Sequence, residues 1–291
     1  MELISDYMRD EKSRHLLNEL TGKVFGFSFE NWVTKGYFEG DYIPYSFVDN
    51  GKMVSNVSAN RMKFMQNGTE RYYIQIGTVM TDPEYRNRGL AAKLMKHVIA
   101  EYERDCDGIY LFGDLGALDF YRKLGFEVIN QHRYFVKDEF CHSEKSRNAF
   151  KPIKDADDGL KARYLELVRT GARFSAFEQL NRFGLQMFYT ADFDNVYYCD
   201  ELDCFAVLEQ DETVVLQSVI CSTKLPLTEV LQRLGLEGRR CMLGFTPLSE
   251  DLHLCVSEEY DGGEDYRLFY RGEGLKNIER DKLYFPVLSH A

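Results

Sequence analysis

The sequence predicts a mixed α/β fold made of two domains of similar size. Its 291 residues exceed the length of one typical domain, and 44% of them are hydrophobic, which is enough to fill folded cores. Helix-like and strand-like segments follow the order ααβββαβαβ through the first 137 residues, and a similar cycle begins after residue 150. We therefore expect a domain over residues 1–137, a polar linker over 138–150 and a second domain over 151–291, each with an α+β mixed sheet.

The first cycle opens with helices and continues as a meander of strands. A helix is predicted near residues 11–20, and a short helix at "FENWVTKGYF" runs into a loop. The strand-like runs "YIPYSFVD", "MVSNVSANRMKFM" and "YYIQIGTVMT" are separated by Asn-Gly dipeptides, which are typical of hairpin turns. Apolar residues then recur every four positions from Leu90, which predicts a helix. "IYLF", "ALDFYRKLGF" and "EVINQHRYFV" follow as strand, helix and strand.

The second cycle repeats this order after the polar segment "KDEFCHSEKSRNA". "DDGLKARYLELVRTG" and "LTEVLQRLG" read as helices, and "VYYCDE", "CFAVLEQ", "VVLQSVIC", "RRCMLGF" and "YRLFYRG" read as strands. The strand-to-helix turn "STKLPLTEVL" lacks the arginines and glycine that the first cycle carries at that point, so we expect a degenerate structural repeat. The ending "LYFPVLSHA" is too apolar for a free tail, so we expect it to pack.

Charge and cysteine content exclude several classes of protein. A net charge of −11 weighs against a nucleic-acid-binding surface, which usually carries a basic excess, and favours a cationic partner. The charged start and the lack of a long apolar stretch predict no signal peptide, no membrane partner and a cytoplasmic location. The seven cysteines are an odd number without a C-x-x-C pair, which predicts reduced thiols and no metal site. The oligomeric state stays open.

The stretch "TDPEYRNRGLAAKLM" places two arginines and a glycine between a strand and a helix. A helix N-terminus presents free N–H groups and the positive end of the helix dipole, and Gly89 would let a phosphate approach the backbone. The spacing matches neither the G-x-x-x-x-G-K-[ST] loop nor the G-x-G-x-x-G fingerprint. The alternative is an ordinary capped helix whose arginines face solvent.

Two spacings make the first domain resemble the GNAT superfamily of acyl-CoA-dependent N-acetyltransferases. Arg86, Gly89 and Ala91 match the family's pyrophosphate loop, and Tyr121 precedes Gly125-Phe126 by the family's four residues. The close resemblance covers roughly residues 42–136. It implies a GNAT fold in the N-terminal domain followed by a degenerate GNAT-like domain. That pairing resembles the N-terminal part of the enhanced intracellular survival acetyltransferases.

The resemblance implies acetyl-CoA as co-substrate and assigns its contacts. The amides of residues 86–91 would hold the pyrophosphate, Val79 and Thr81 would pair with the pantetheine arm, and the Met80 N–H would meet the thioester oxygen. Asp114 stands where many relatives carry an asparagine, and an ionised carboxylate only accepts hydrogen bonds. The implied cofactor-binding residues are Val79, Met80, Thr81, Arg86, Asn87, Arg88, Gly89, Leu90, Ala91 and Asp114.

The resemblance also implies a role for Tyr121 at the departing thiolate, either as proton donor or by hydrogen-bond stabilisation. The alternative is a tyrosine packed in the core. Gln75 stands where some relatives carry a glutamate, and an amide cannot take the proton of the acceptor amine, so we expect a water relay past Gln75. The survival-type relatives are thought to use a terminal carboxylate, which Ala291 would deliver here. Otherwise the tail only completes the C-terminal sheet.

The amine acceptor is expected at the early helix and loop "ENWVTKGYFEGDY". Trp32, Tyr37 and Phe38 could hold a cation by their ring faces, with Glu39 and its acidic neighbours as counter-charges. Core aromatics with a solvated acidic rim are the alternative. We expect an N-acetyltransferase acting on a primary amine of a small molecule or peptide, with the second domain shaping the acceptor site. The competing functions are a non-catalytic acyl-CoA-binding regulatory module and a purely structural interaction protein.

Overall fold

The computed structural model describes residues 1–141 and 147–291 and contains two β-sheets with helices packed on them. The elements up to the middle of the chain are β1 (Glu2–Ser5), α1 (Glu11–Val24), α2 (Glu30–Thr34), β2 (Tyr42–Asp49), β3 (Lys52–Gln66), β4 (Thr69–Thr81), α3 (Leu90–Tyr102), β5 (Gly108–Asp114), α4 (Leu118–Lys123), β6 (Glu127–Ile129), β7 (Gln131–Val136) and α5 (Asp138–Cys141). The elements after them are β8 (Lys151–Pro152), α6 (Asp158–Thr170), β9 (Phe177–Gln179), α7 (Phe183–Thr190), β10 (Val196–Cys199), β11 (Cys204–Gln210), β12 (Val214–Cys221), α8 (Leu227–Leu234), β13 (Cys241–Leu243), β14 (Cys255–Tyr260) and β15 (Tyr266–Arg271).

The first sheet has the strand order β1-β2-β3-β4-β5-β15-β6, and β9 also pairs with β3. β4 and β5 are parallel because α3 connects them, whereas the other described pairs of this sheet are antiparallel. Helix α3 packs one apolar stripe on the sheet, with Leu94, Met95 and Val98 fully buried. This is the mixed sheet that the sequence predicts for the first half.

The second sheet repeats this plan in the order β14-β7-β13-β12-β11-β10-β8. An antiparallel meander from β10 to β12 leads into α8, and β13 returns parallel to β12. Helix α8 ends at Gly235, whose φ of 62° is a left-handed conformation that glycine adopts without steric cost. The two halves therefore share one fold class, as the repeated order of elements predicts.

The two sheets exchange strands, which the sequence does not predict. The prediction of a single strand over "EVINQHRYFV" is wrong. The chain turns at Asn130, so that β6 stays in the first sheet while β7 joins the second. In return β15, from "YRLFYRG", inserts between β5 and β6. An alternating pattern reports which side chains are buried but not which sheet buries them. The division into domains at residues 137–151 stays a prediction.

Several short elements were also missed, among them β1, β9 and α7. They have three to eight residues, too few to show a period. The predicted linker over 138–150 contains α5, and its residues 142–146 lie outside the described part of the chain. Among the described residues no helix is both long and apolar enough to cross a membrane.

The C-terminal segment packs against both sheets, as its apolar composition predicts. Phe285 is fully buried and lies against the rings of Tyr110, Phe64 and Phe177, with centroids 4.3, 5.6 and 4.8 Å away. Its backbone N–H donates to Gln131 Oε1 at 3.0 Å. This anchoring carries the last residues of the chain to the face of the first sheet.

Candidate active site

A cavity of about 300 Å³ opens where β4 and β5 part. The two strands are paired only from Tyr73 and Gly108 to Gln75 and Tyr110, and beyond these residues they diverge. The space between them is closed by the segment before α2 and by α7. The residues that line the cavity come from both halves of the chain: Phe25, Phe27, Phe29, Trp32, Tyr42, Ile76, Gly77, Thr78, Val79, Leu111, Phe112, Gly113, Asp114, Tyr121, Leu185, Phe188, Tyr189 and Ala291.

A bulge in β4 lies on the wall of this cavity. The register with β3 shifts between Asn56 and Ser58, and Thr78 has a φ of 42°, which is strained for a β-branched residue. The buried Asn56 amide holds the bulge by donating to the Thr78 carbonyl at 3.0 Å. The Tyr42 hydroxyl is hydrogen-bonded to Thr78 Oγ1 at 2.6 Å. These contacts fix a conformation that the isolated strand would avoid.

The loop after β4 is anchored by Asp82. Its buried carboxylate contacts Lys23 Nζ at 3.0 Å and Lys52 Nζ at 2.8 Å and accepts from the Glu84 amide at 3.0 Å. Burial alone would raise the pKa of Asp82, but these hydrogen bonds outweigh burial and lower that pKa to about 2. The anchor ties the loop to α1 and β3 and so fixes where α3 begins.

The start of α3 presents free amides. Gly89 caps the helix with φ 72°, and a Cβ on it would meet no atom within 4 Å, so its surroundings are open. In the described part of the chain, the amides of residues 87–92 have no hydrogen-bond partner. Arg86, Arg88 and Asn87 are exposed beside them. An exposed helix N-terminus with unpaired N–H groups can bind an anion.

Tyr121 faces the cavity from α4 and is 6% exposed. Its ring packs on Phe269 with centroids 4.9 Å apart, and its hydroxyl has no hydrogen-bond partner among the described residues. Burial, together with the charge of Asp114, raises the pKa of Tyr121 to about 12. The hydroxyl therefore stays protonated near neutral pH and is free to donate a hydrogen bond into the cavity.

We expect Tyr121→Phe to lower kcat by roughly tenfold or more while acetyl-CoA affinity changes little. The change removes the donor but keeps the ring that packs on Phe269. Steady-state kinetics and calorimetry on both proteins would test this. Wild-type turnover in the variant would leave Tyr121 with a packing role only.

The last residues of the chain lie on β4. The Gln75 side-chain amide is oriented so that its nitrogen and its oxygen both have partners in the tail. Its nitrogen donates to the Ser289 carbonyl at 2.8 Å, and its oxygen accepts from the Ala291 N–H at 2.8 Å. A Cβ on Gly77 would come within 2.6 Å of the Ala291 oxygen, so this position requires glycine. Gln75 is fully buried and therefore positions the tail, and its contact with the acceptor stays a prediction.

His290 holds the tail from the other side. Its ring stacks on Phe112 with centroids 3.8 Å apart, and its carbonyl accepts from the Tyr189 hydroxyl at 2.5 Å. Its buried Nε2 has no hydrogen-bond partner in the described part of the chain. Burial lowers the pKa of His290 to about 4, so the imidazole is neutral near pH 7.

Acidification should therefore destabilise the protein through His290. The unfolded chain binds a proton below its pKa of about 6.5, whereas the folded chain resists protonation until about pH 4. This contribution to stability is present above pH 6.5 and is lost as the pH falls, by about 2 kcal/mol at pH 5. Urea unfolding at pH 7 and pH 5 should show a smaller pH dependence for His290→Phe. An unchanged dependence would contradict the assignment.

The residues predicted to bind the acceptor are only partly brought together. Trp32 lines the cavity, and its Nε1 donates to the Gly184 carbonyl at 2.7 Å, which docks α7 on α2. Tyr37, Phe38 and Glu39 do not line the cavity. Phe38 packs behind Trp32, with centroids 5.1 Å apart, and Glu39 forms an ion pair with Arg169.

The predicted pantetheine contacts lie along the end of β4. Val79 lines the cavity, whereas the Met80 side chain is buried on the other side, in the cluster with α1 and α2. The Met80 carbonyl accepts from Ser55 Oγ at 3.0 Å, and the Thr81 hydroxyl is bonded to the same Oγ at 2.9 Å. Asp114 lines the cavity at the end of β5.

Sequence reasoning missed most of the aromatic residues that line the cavity. It assigned no role to Phe25, Phe27 and Phe29, although their alternation in "FGFSF" is a visible signal, nor to Phe188 and Tyr189 of α7. The seven cysteines are free thiols. Within residues 1–141 and 147–291, no three His, Cys, Asp or Glu side chains cluster closely enough to hold a metal ion.

Comparisons with known proteins show which family and which folds the chain is similar to. Residues 10–129 match the family described as "Acetyltransferase (GNAT) domain". N-alpha-acetyltransferase 50 of Danio rerio is 33% identical over 82 residues, which cover 26% of this chain and 47% of the relative. The chain spans less than half of the length of the curated relatives it matches.

Two solved structures are similar along nearly the whole chain. A conserved protein of unknown function from Enterococcus faecalis V583, described as a probable N-acyltransferase, has a TM-score of 0.57 at 17% identity and covers 95% of this chain and 73% of its own. Eis1 from Mycobacterium abscessus has a TM-score of 0.55 at 12% identity, covering 92% and 73%. At such identities these similarities concern the fold alone. The chain thus has the overall fold of these proteins, and its residues 10–129 match the GNAT acetyltransferase domain family.

Proposed function

We propose that this chain is an acetyl-CoA-dependent N-acetyltransferase that acetylates a primary amine of a small molecule or peptide by direct attack on the thioester. The observation that carries the proposal is the cavity between the parted strands β4 and β5, because it contains a protonated tyrosine and is lined by the strand that leads to the unpaired amides at the start of α3. Acetyl-CoA is the co-substrate that suits a GNAT acetyltransferase domain with these groups.

The residues at the N-terminus of α3 are suited to bind a diphosphate. The amides of residues 87–92 and the exposed side chains of Arg86 and Arg88 would hold the pyrophosphate of coenzyme A. The pantetheine arm would then follow β4 past Thr81, Met80 and Val79 into the cavity. Amides on this edge of β4 would stabilise the oxygen of the thioester as it gains negative charge.

The chemistry is a single acyl transfer. The neutral amine attacks the carbonyl carbon, the carbon–sulfur bond breaks, and the Tyr121 hydroxyl donates a hydrogen bond or its proton to the departing thiolate. The proton of the ammonium leaves through water. At residue 291 the main chain lies against Gly77 on the cavity wall, and an α-carboxylate there would orient the ammonium or relay its proton.

The second half has no equivalent phosphate loop in this proposal. Its helix α8 starts after Pro226, which has no N–H to offer, and no glycine precedes it. We therefore expect one acetyl-CoA per chain, held by the first half, while α7 of the second half shapes the acceptor site. The free cysteines suit a reducing compartment, and we place the activity in the cytoplasm.

A coupled assay tests the proposal. The protein is incubated with acetyl-CoA and a panel of primary amines, and free thiol and N-acetylated product are measured together. Amine-dependent release of both in equal amounts supports acetyl transfer. Tight binding of acetyl-CoA without thiol release would instead favour the regulatory binding module. If acetyl-CoA does not bind, the result would favour a purely structural interaction protein.

A further inference from the structure

One wall of the cavity is almost wholly aromatic. It is formed by Phe27, Phe29, Trp32, Tyr42 and Phe188, whose rings lie in contact: Phe188 is 5.7 Å from Phe27, 5.8 Å from Phe29 and 5.7 Å from Trp32 between centroids. Two hydrogen bonds hold the rings in place: Trp32 Nε1 donates to the Gly184 carbonyl of α7, and the Tyr42 hydroxyl is bonded to Thr78 Oγ1 in the bulge. The wall is therefore a fixed apolar surface.

The cavity offers little negative charge to a cation. Asp114 is the one charged side chain among the described residues that line it, and the α-carboxylate proposed at Ala291 would add one further negative charge. The acidic residues of α2 and of the loop after it have partners outside the cavity. Glu30 accepts two hydrogen bonds from Arg14 at 2.9 Å, and Glu39 forms an ion pair with Arg169. Asp41 accepts a hydrogen bond from Asn181 at 2.9 Å. A polycationic acceptor would leave ammonium groups unpaired against aromatic rings, at a cost that one ring contact does not offset.

The volume of the cavity limits the acceptor as well. About 300 Å³ lies at the lower end of small-molecule sites and must also admit the acyl end of the co-substrate. The space suits one aromatic ring, or an apolar group of similar size, on a short chain that ends in an amine.

We infer that the acceptor is an arylalkylamine-like compound, a single primary amine joined to an aromatic or bulky apolar body, and that the aromatic wall selects it over polyamines and small aliphatic amines. This inference rests on the proposed acetyl transfer and names the substrate class of the same site. The ring stacks against Phe188 and Trp32, and the amine extends toward the parted strands.

The chain contains a single tryptophan, and Trp32 lies in the wall, so its fluorescence reports directly on binding. The probes are 2-phenylethylamine, n-butylamine and spermidine, each titrated in the presence of coenzyme A and assayed for kcat/KM with acetyl-CoA. We expect 2-phenylethylamine to change the fluorescence at concentrations roughly tenfold below those of the other two, and its kcat/KM to be roughly tenfold or more higher.

Two variants sharpen the comparison. Phe188→Ala should lower kcat/KM for 2-phenylethylamine about tenfold while the value for n-butylamine changes by less than about twofold. The matched control Phe193→Ala removes a half-buried ring that packs on Tyr164, away from the cavity, and should leave the ratio between the amines unchanged.

The outcomes separate this inference from the proposed function. Failure to bind acetyl-CoA in calorimetry counts against the acetyltransferase itself. Binding of acetyl-CoA with equal or better kcat/KM for spermidine or n-butylamine overturns the substrate class alone. If acetyl-CoA binds but no amine is acetylated, the fluorescence titration decides: selective response to the aromatic amine supports the inference, and an unselective response overturns it.

Discussion

Gly89→Glu should lower the affinity for acetyl-CoA by about 100-fold or more. Gly89 caps α3 in the left-handed region, and the amides around it have no partner in the described part of the chain. A glutamate there places a negative charge where the pyrophosphate would bind, and its side chain enters a space that is now open. Isothermal titration calorimetry with acetyl-CoA measures the effect.

Two controls separate the charge from the strain. Gly89→Ala adds only the cost of a left-handed conformation, about 1–2 kcal/mol, and should weaken binding much less. Gly68→Glu adds the same charge at another exposed glycine of positive φ, 81°, in the turn between β3 and β4, and should bind acetyl-CoA normally. Unchanged affinity in Gly89→Glu would remove the loop from the binding site.

Gly77→Ala should lower kcat by about 100-fold while acetyl-CoA still binds. An added Cβ would lie 2.6 Å from the oxygen and 2.8 Å from the carbon of Ala291, so the tail must leave its place on β4. Moving a group at a reacting centre by about 1 Å is enough to lower the rate by about two orders of magnitude. Gly22→Ala, at an exposed position of α1 with no atom near the new Cβ, is the matched control and should keep wild-type activity.

A double-mutant cycle tests whether Gly77 acts through the tail. Deletion of residues 289–291 should give a folded protein that binds acetyl-CoA but has lost most turnover, because Gln75 loses its two partners in the tail and the cavity loses Ala291 from its lining. In that background Gly77→Ala should have almost no further effect on kcat. Additive losses would show that Gly77 and the tail act separately. Extension of the chain by two glycines after Ala291 would test the α-carboxylate itself.

The sequence predicts the elements of the first half well because their signals are local. The start of α3 at Leu90, the strand β2 at residues 42–49 and the position of Tyr121 on a helix each follow from patterns within about 15 residues. The contacts that close the cavity join distant residues, such as Trp32 with Gly184 and Gln75 with Ala291. No periodicity encodes such pairs. The alternation in "FGFSF" does not reveal which surface the rings form, and only the family resemblance pointed to Ala291 at the site.

The acidic residues of the early loop show a second limit of sequence reasoning. Glu39 was expected to face a cationic acceptor because it lies among aromatic residues in the chain. In the fold its partner is Arg169, 130 residues away, and the charge is neutralised there. A carboxylate's role depends on the cations that the fold brings to it, which a short stretch of sequence does not reveal.

The exchange of strands between the sheets has a consequence for synthesis of the chain. Because β15 lies between β5 and β6, the first sheet is incomplete until residue 271 has left the ribosome, and β5 and β6 must wait for it. Pairs such as Leu111 with Phe269 span more than half of the chain, and closing contacts of such separation is slow. The nascent first half therefore waits with an open sheet edge, and the cavity is completed only after the lining residues of the second half have been synthesised.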